Sequence, residues 1–195
     1  MNKTAKMIIV LTAITALSGA ILSSWDSMTK PKIEYHRLQE LKAAISDVLP
    51  KYNYYEEKDI NGNVVYIGRI DGSTQPVGIA FKVEGSGFQG NVSIMVGVDP
   101  SFTSITGIKV LEQIETPGLG TKIAEDPTNK TNPFWFSEQF VGVIFVPQIN
   151  VVKNSSPQNS NEIQAISGAT ISSKAVVRIL NDNIKNIKEL YQSVN

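Results

Sequence analysis

Apolar residues are distributed along this chain in two different ways. Between Met7 and Trp25 they run together as MIIVLTAITALSGAILSSW, about 19 residues without a charge. A helix rises about 1.5 Å per residue, so a run of this length crosses a hydrocarbon core of roughly 30 Å. The run has no amphipathic face and exceeds the roughly 7–15 apolar residues of a secretory leader, and no clean A-x-A site follows it. It predicts one uncleaved transmembrane helix over 7–25. Lys3 and Lys6 precede it, Trp25 marks its far interface, and Asp26, Lys30 and Lys32 follow. The positive-inside rule then leaves residues 1–6 in the cytoplasm and exports everything after about residue 26.

Beyond a polar linker over 26–32 the apolar positions are spaced. Leu38, Leu41, Ile45 and Val48 recur at helical intervals, with Arg37, Glu40, Lys42 and Asp47 largely opposite, and Pro50 ends the element. From there to about residue 115 the pattern is that of strands. VVYIGRI (64–70) follows an Asn61-Gly62 hairpin turn, and Val77–Val83, Val92–Val98 and Ile105–Ile114 are further β-rich runs. Gly85, Gly87, Gly90 and Asp99-Pro100 divide them. Val141–Val152 is strand-like, Asn154–Asn161 is a polar exposed loop, and Glu162–Ile166 is a short strand. Helical spacing returns over Ser172–Gln192, with Val176, Ile179, Leu180, Ile184, Ile187 and Leu190 as the stripe to be buried. The fold class is α+β: one extracytoplasmic domain over 33–195, with a mixed or antiparallel sheet flanked by helices, behind one transmembrane helix.

Composition narrows the chemistry. The chain has 195 residues, 42% of them hydrophobic, and 18 basic residues balance 18 acidic ones. Zero net charge argues against a nucleic-acid partner, because phosphate contacts need a basic excess. There is no cysteine and one histidine, His36. Thiolate clusters, c-type haem, disulfides and multi-histidine metal sites are thereby excluded, and no metal site is expected. No Ser–His–Asp set or paired acid and base stands out, so no catalytic residue is assigned.

Two short stretches remain. Ser167-Gly168-Ala169-Thr170 joins a strand to the last helix. Its small residues allow close approach to the backbone, and a helix start favours an anion, so a phosphate beside Thr170 is well placed. The simpler reading of these residues alone is that Thr170, Ser172 or Ser173 caps the helix. Glu115-Thr116-Pro117-Gly118-Leu119-Gly120 suits a type II turn around Pro117-Gly118, over which a flat ring has room to lie. Taken alone, it reads rather as a tight surface turn. Glu84–Gly90 (EGSGFQG) is glycine-rich but precedes a strand, so it reads as a β-turn with a bulge rather than a nucleotide loop.

Together these elements resemble a known family. The apolar anchor, EGSGFQG, VGVD (96–99), ETPGLG (115–120) and AISGATISS (165–173) occur in the order found in the G subunit of the Rnf (Rsx) ion-translocating electron transport complex. The same elements are similar to those of the C subunit of the sodium-translocating NADH:quinone reductase, usually a longer chain. The resemblance implies an FMN-binding domain with FMN attached covalently, by a phosphoester to Thr170, after export and by a separate flavin transferase that uses FAD. It implies that Ser167, Gly168 and Ala169 shape the turn and that backbone amides near Ile171 stabilise the phosphate. Glu115, Thr116 and Leu119 are then expected to border the ring, and Lys122 to offset flavin charge. Family members commonly carry an aspartate six residues before the threonine, where this chain has Gln164, with Glu162 two residues earlier.

The implied role is a one-electron relay in a complex that passes electrons between reduced ferredoxin and NAD⁺ while Na⁺ or H⁺ crosses the membrane. Its partners are then the membrane subunits A, D and E and the peripheral subunits B and C. The alternatives are the C subunit of the quinone reductase and a non-redox, membrane-anchored assembly module.

Overall fold

The computed structural model describes residues 2–194. It divides into two units, one up to Glu40 and one from Leu41 onward.

Helix α1 spans Lys3–Val48. Its apolar run is unburied within the structure, and the helix is long and apolar enough to cross a membrane. Residues 26–32, expected as a linker, are helical, Pro31 included. Polarity alone does not end a helix. Here Ser27 and Thr29 return hydrogen bonds to the carbonyls of Ser23 and Trp25, and Lys30 pairs with Asp26 one turn back at 3.2 Å.

The second unit is built on a five-stranded antiparallel sheet in simple sequential order. Its strands are β1 (Tyr54–Ile60), β2 (Asn63–Arg69), β3 (Gly78–Ser86), β4 (Asn91–Val98) and β5 (Ile105–Gln113). The Asn61-Gly62 turn joins β1 to β2 as its sequence demands, with both residues at positive φ. Strand β1 (YYEEKDI) carries too few apolar residues to show a run, and only its turn announces it.

Both faces of the sheet centre are covered. Val65, Phe81 and Val96 stand side by side across β2, β3 and β4 and pack in one core with Val176, Ile179 and Leu180 of the last helix. Tyr66, Ala80 and Met95 face the other way, against Ala44, Ile45 and Val48 at the end of α1. Thr106 donates to the Val48 carbonyl at 2.6 Å and so fastens that helix end to β5. Burial on both faces is why β3 and β4 read as nearly continuous apolar runs rather than alternating ones.

Between β5 and the last helix the chain is mostly irregular. A 3₁₀ turn (Gly120–Ile123) and a one-turn helix α2 (Trp135–Glu138) are its helical pieces. Of the strand-like stretch 141–152 only Asn150–Val152 forms a strand, β6, which pairs in parallel with β7 (Glu162–Gln164). Val143, Phe145 and Ile149 are nonetheless buried, so their apolar character serves the core without a ladder. Helix α3 (Thr170–Val194) closes the fold, starting two residues before the expected position. Asn181 of α3 bonds both the N–H and the carbonyl of Ile149 and ties this irregular layer to the helix.

Candidate functional site

The turn before α3 is locked from inside. Ala169 N–H bonds the Ile166 carbonyl at 3.0 Å, and Gly168 sits at φ +80°, where a side chain is strained. Ser173, fully buried, accepts from Ile166 N–H and donates to the Ala169 carbonyl, each at 3.0 Å. Ser173 is thus the internal clamp. Ser172 points elsewhere, and the half-buried Thr170 hydroxyl has no hydrogen-bond partner among the described residues. The N–H groups of Thr170, Ile171 and Ser172 likewise find no acceptor among the described residues, as a helix start leaves them. Neither Thr170 nor Ser172 caps the helix.

The 115–120 loop takes the turn its sequence predicts. Leu119 N–H bonds the Thr116 carbonyl at 3.2 Å around Pro117-Gly118, with Gly118 at φ +74°. This turn lies against the first one: a methyl group on Gly168 would sit 3.3 Å from Leu119 Cδ2. Between them opens a cleft of about 320 Å³ lined by Thr116, Leu119, Gly120, Gly168, Ala169, Thr170, Ile171 and Ser172, with Phe88 and Lys153.

The cleft therefore gathers Thr116, Leu119, Gly168, Ala169, Thr170 and Ile171 from the residues singled out in the sequence. Ser167 is exposed outside it. Glu115 and Lys122 do not line it either. The Glu115 carboxylate is turned inward, where it accepts hydrogen bonds from Phe88 N–H, Gln89 N–H and the Ser172 hydroxyl. Lys122 pairs with Asp126 at 3.2 Å and donates to the Thr128 hydroxyl at 3.1 Å. The Thr128 hydroxyl and Lys122 together hold the Asp126 carboxyl below the usual carboxylate range. Lys122 thus has its counter-charge within its own loop.

Sequence reasoning misses Phe88 and Lys153. Phe88 is 56% exposed at the tip of the β3–β4 hairpin, and Lys153 follows β6 directly. Their only sequence signals are a large aromatic between glycines and a lone cation at the end of an apolar run. Gln164, where the family pattern has aspartate, bonds through its backbone to the Gln139 side chain at 2.8 and 3.3 Å.

Residues 87–185, just over half of the chain, match the family of FMN-binding domains. The G subunit of the ion-translocating oxidoreductase complex of Methanosarcina acetivorans is 32% identical over 92% of this chain and 92% of its own length. The G subunit of the Na⁺-translocating ferredoxin:NAD⁺ oxidoreductase complex of Acetobacterium woodii is 32% identical over 97% of this chain and 92% of its own. Among solved structures, the C subunit of the Na⁺-translocating NADH-quinone reductase of Parabacteroides distasonis superposes with a TM-score of 0.54 at 23% identity, covering 78% of this chain and 82% of that one. That likeness shows a shared fold. The chain belongs to the G-subunit family of ion-translocating oxidoreductase complexes, and its second unit carries that family's FMN-binding domain.

Proposed function

We propose that this chain is the flavin-carrying subunit of an Rnf-type ion-translocating ferredoxin:NAD⁺ oxidoreductase, with FMN joined to Thr170 by a phosphoester. The observation that carries the reading is the cleft between the 115–120 turn and the 167–170 turn, onto which the unpartnered Thr170 hydroxyl opens. The donor set fits the group. Three unpartnered N–H groups at the start of a 25-residue helix suit a phosphate. Phe88, Leu119 and Ile171, all exposed and apolar, suit a flat heterocycle. Gly168 and Ala169 keep side-chain bulk away from the turn, and Lys153 supplies positive charge at the rim.

FMN, when bound, supplies one-electron transfer between partner carriers. The chain's own residues tether, orient and shield. Thr170 Oγ1 would hold the FMN phosphate through a phosphoester, no charged side chain among the described residues being bonded to that hydroxyl. The N–H groups of Thr170, Ile171 and Ser172 would donate hydrogen bonds to the phosphate oxygens and so stabilise their negative charge. Helix α1 anchors the chain in the membrane, with residues 1–6 cytoplasmic, 7–25 spanning and the flavin domain extracytoplasmic. The partners are membrane subunits A, D and E and peripheral subunits B and C.

Intact mass after co-expression with the transferase tests the reading. The wild type is expected to gain the mass of FMN less one water, and Thr170→Ala to gain nothing while unfolding at the same temperature. Covalent flavin persisting in Thr170→Ala would overturn the assignment of the link.

A further inference from the structure

We propose that Glu115 is a positioning residue for flavin attachment: its buried carboxylate holds the Phe88 hairpin tip and the first turn of α3 in one register across the cleft. The inference rests on Thr170 being the flavin acceptor. Glu115 is 4% exposed. Its Oε1 accepts from Phe88 N–H at 2.7 Å and Gln89 N–H at 3.2 Å, and its Oε2 accepts from the Ser172 hydroxyl at 2.6 Å. Among the described residues no lysine or arginine pairs with it. A buried carboxylate without a cation is unfavourable unless donors occupy its lone pairs. Here the donors come from two distant parts of the chain, so satisfying the charge requires them to meet.

Glycines also leave the space that this group fills. A Cβ on Gly87 would run into Glu115 Oε1 before anything else, and would also lie 2.7 Å from Val92 Cγ2 and 2.9 Å from the Gly90 carbonyl oxygen. A Cβ on Gly120 would lie 2.7 Å from Oε2 and 2.8 Å from the Ser172 hydroxyl. Neither glycine has the positive φ that would otherwise explain it. Two glycines from two different loops therefore form a socket whose content is a carboxylate.

The socket decides what Thr170 faces. Glu115 pins Ser172, and Ser173 is pinned to Ile166 and Ala169. With Ser172 and Ser173 both bonded, the first turn of α3 has one rotation about its axis, and Thr170 is that turn's hydroxyl without a partner among the described residues. Phe88, whose N–H is held by the same carboxylate, lines the cleft too.

The test uses the full-length chain, purified without flavin, with the transferase and FAD. The rate of covalent incorporation is read by in-gel fluorescence and intact mass, and folding by thermal unfolding. Glu115→Ala is expected to lower turnover at saturating acceptor roughly tenfold or more, with KM for the acceptor little changed. Ser172→Ala, a smaller lesion that retains the fold, should lower it about threefold. Glu115→Gln keeps an acceptor for the hairpin N–H groups and can donate to the Ser172 oxygen, so it should recover to within about threefold of wild type. Wild-type rates per folded molecule in both Glu115→Ala and Ser172→Ala would overturn the proposal, as would a folded Glu115→Gln as slow as the alanine. A wild type that never loads, with Thr170→Ala indistinguishable from it, would instead sink the acceptor assignment and this inference with it.

Discussion

Helices α1 and α3 are the two long helices of the molecule, and they use apolar residues in opposite ways. In α1 the apolar side chains between Met7 and Trp25 point in every direction and are exposed throughout. In α3 they fall on one stripe, where Val176, Leu180 and Ile184 are buried against the sheet. An all-round apolar helix is stable only in an apolar solvent, whereas a striped one finds its apolar solvent in the protein's own core. The first helix therefore reports on the chain's surroundings and the second on its fold.

The largest expected effect separates the two outright. Deleting residues 2–25 should move the chain from the membrane to the soluble fraction while leaving the unfolding temperature of the second unit unchanged. Fractionation and circular dichroism check this, and a truncated chain that stays with washed membranes would break the comparison. Next in size is a matched pair of substitutions. Leu180→Ala opens a cavity at a fully buried position and should cost about 3 kcal/mol of domain stability. Leu17→Ala should change domain stability by less than about 0.5 kcal/mol, since that side chain touches no core. Equal losses in chemical denaturation would show that the two helices are not separable.

The smallest effect concerns charge in the two regions. Asp26 makes only an exposed one-turn pair with Lys30. Asp99, at the β4–β5 turn, accepts hydrogen bonds from Ser101, Thr103 and Ser104. Burial pushes its carboxyl up, but those hydrogen bonds outweigh it and leave the group below the usual carboxylate range. A depressed folded value contributes stability above the unfolded value near 4, and loses it as pH falls through the folded one. Asp99→Ala should therefore cost about 1 kcal/mol at neutral pH, with the gap to wild type closing below about pH 4. Asp26→Ala, which removes one exposed one-turn pair, should change domain stability by less than about 0.5 kcal/mol at neutral pH, and denaturation series at several pH values follow the Asp99 gap.

Much of the architecture follows from local patterns. The hairpin at Asn61-Gly62, strands β2 to β5 and helix α3 are legible because turn chemistry and periodicity are properties of neighbouring residues. Strand β1 is nearly invisible, since its exposed face is polar and its ladder belongs to β2. The stretch 141–152 misleads in the other direction: Val143, Phe145 and Ile149 are apolar because they fill the core, and only the last three residues find a strand partner.

The candidate site divides the same way. Thr116, Leu119, Gly168 and Thr170 belong to turns that local chemistry predicts as turns, and that the family resemblance, not that chemistry, marks as a site. Phe88 and Lys153 join the cleft only because β3, β4 and β6 deliver them there. Glu115 shows the limit most clearly. It sits beside Thr116 in the sequence, yet one side chain lines the cleft and the other is buried behind it, reaching Phe88 and Ser172.

By itself the sequence determined the long apolar helix, the strand and helix periods, and the two turns that border the candidate site. Each of these is settled by residues within a few positions of one another. Only the tertiary structure decided that the two turns line one cleft, that the Glu115 carboxylate joins the hairpin tip to α3, and that Thr170 lines the cleft with no hydrogen-bond partner among the described residues. Those outcomes depend on which distant groups satisfy a buried charge, and a local pattern carries no information about distant partners.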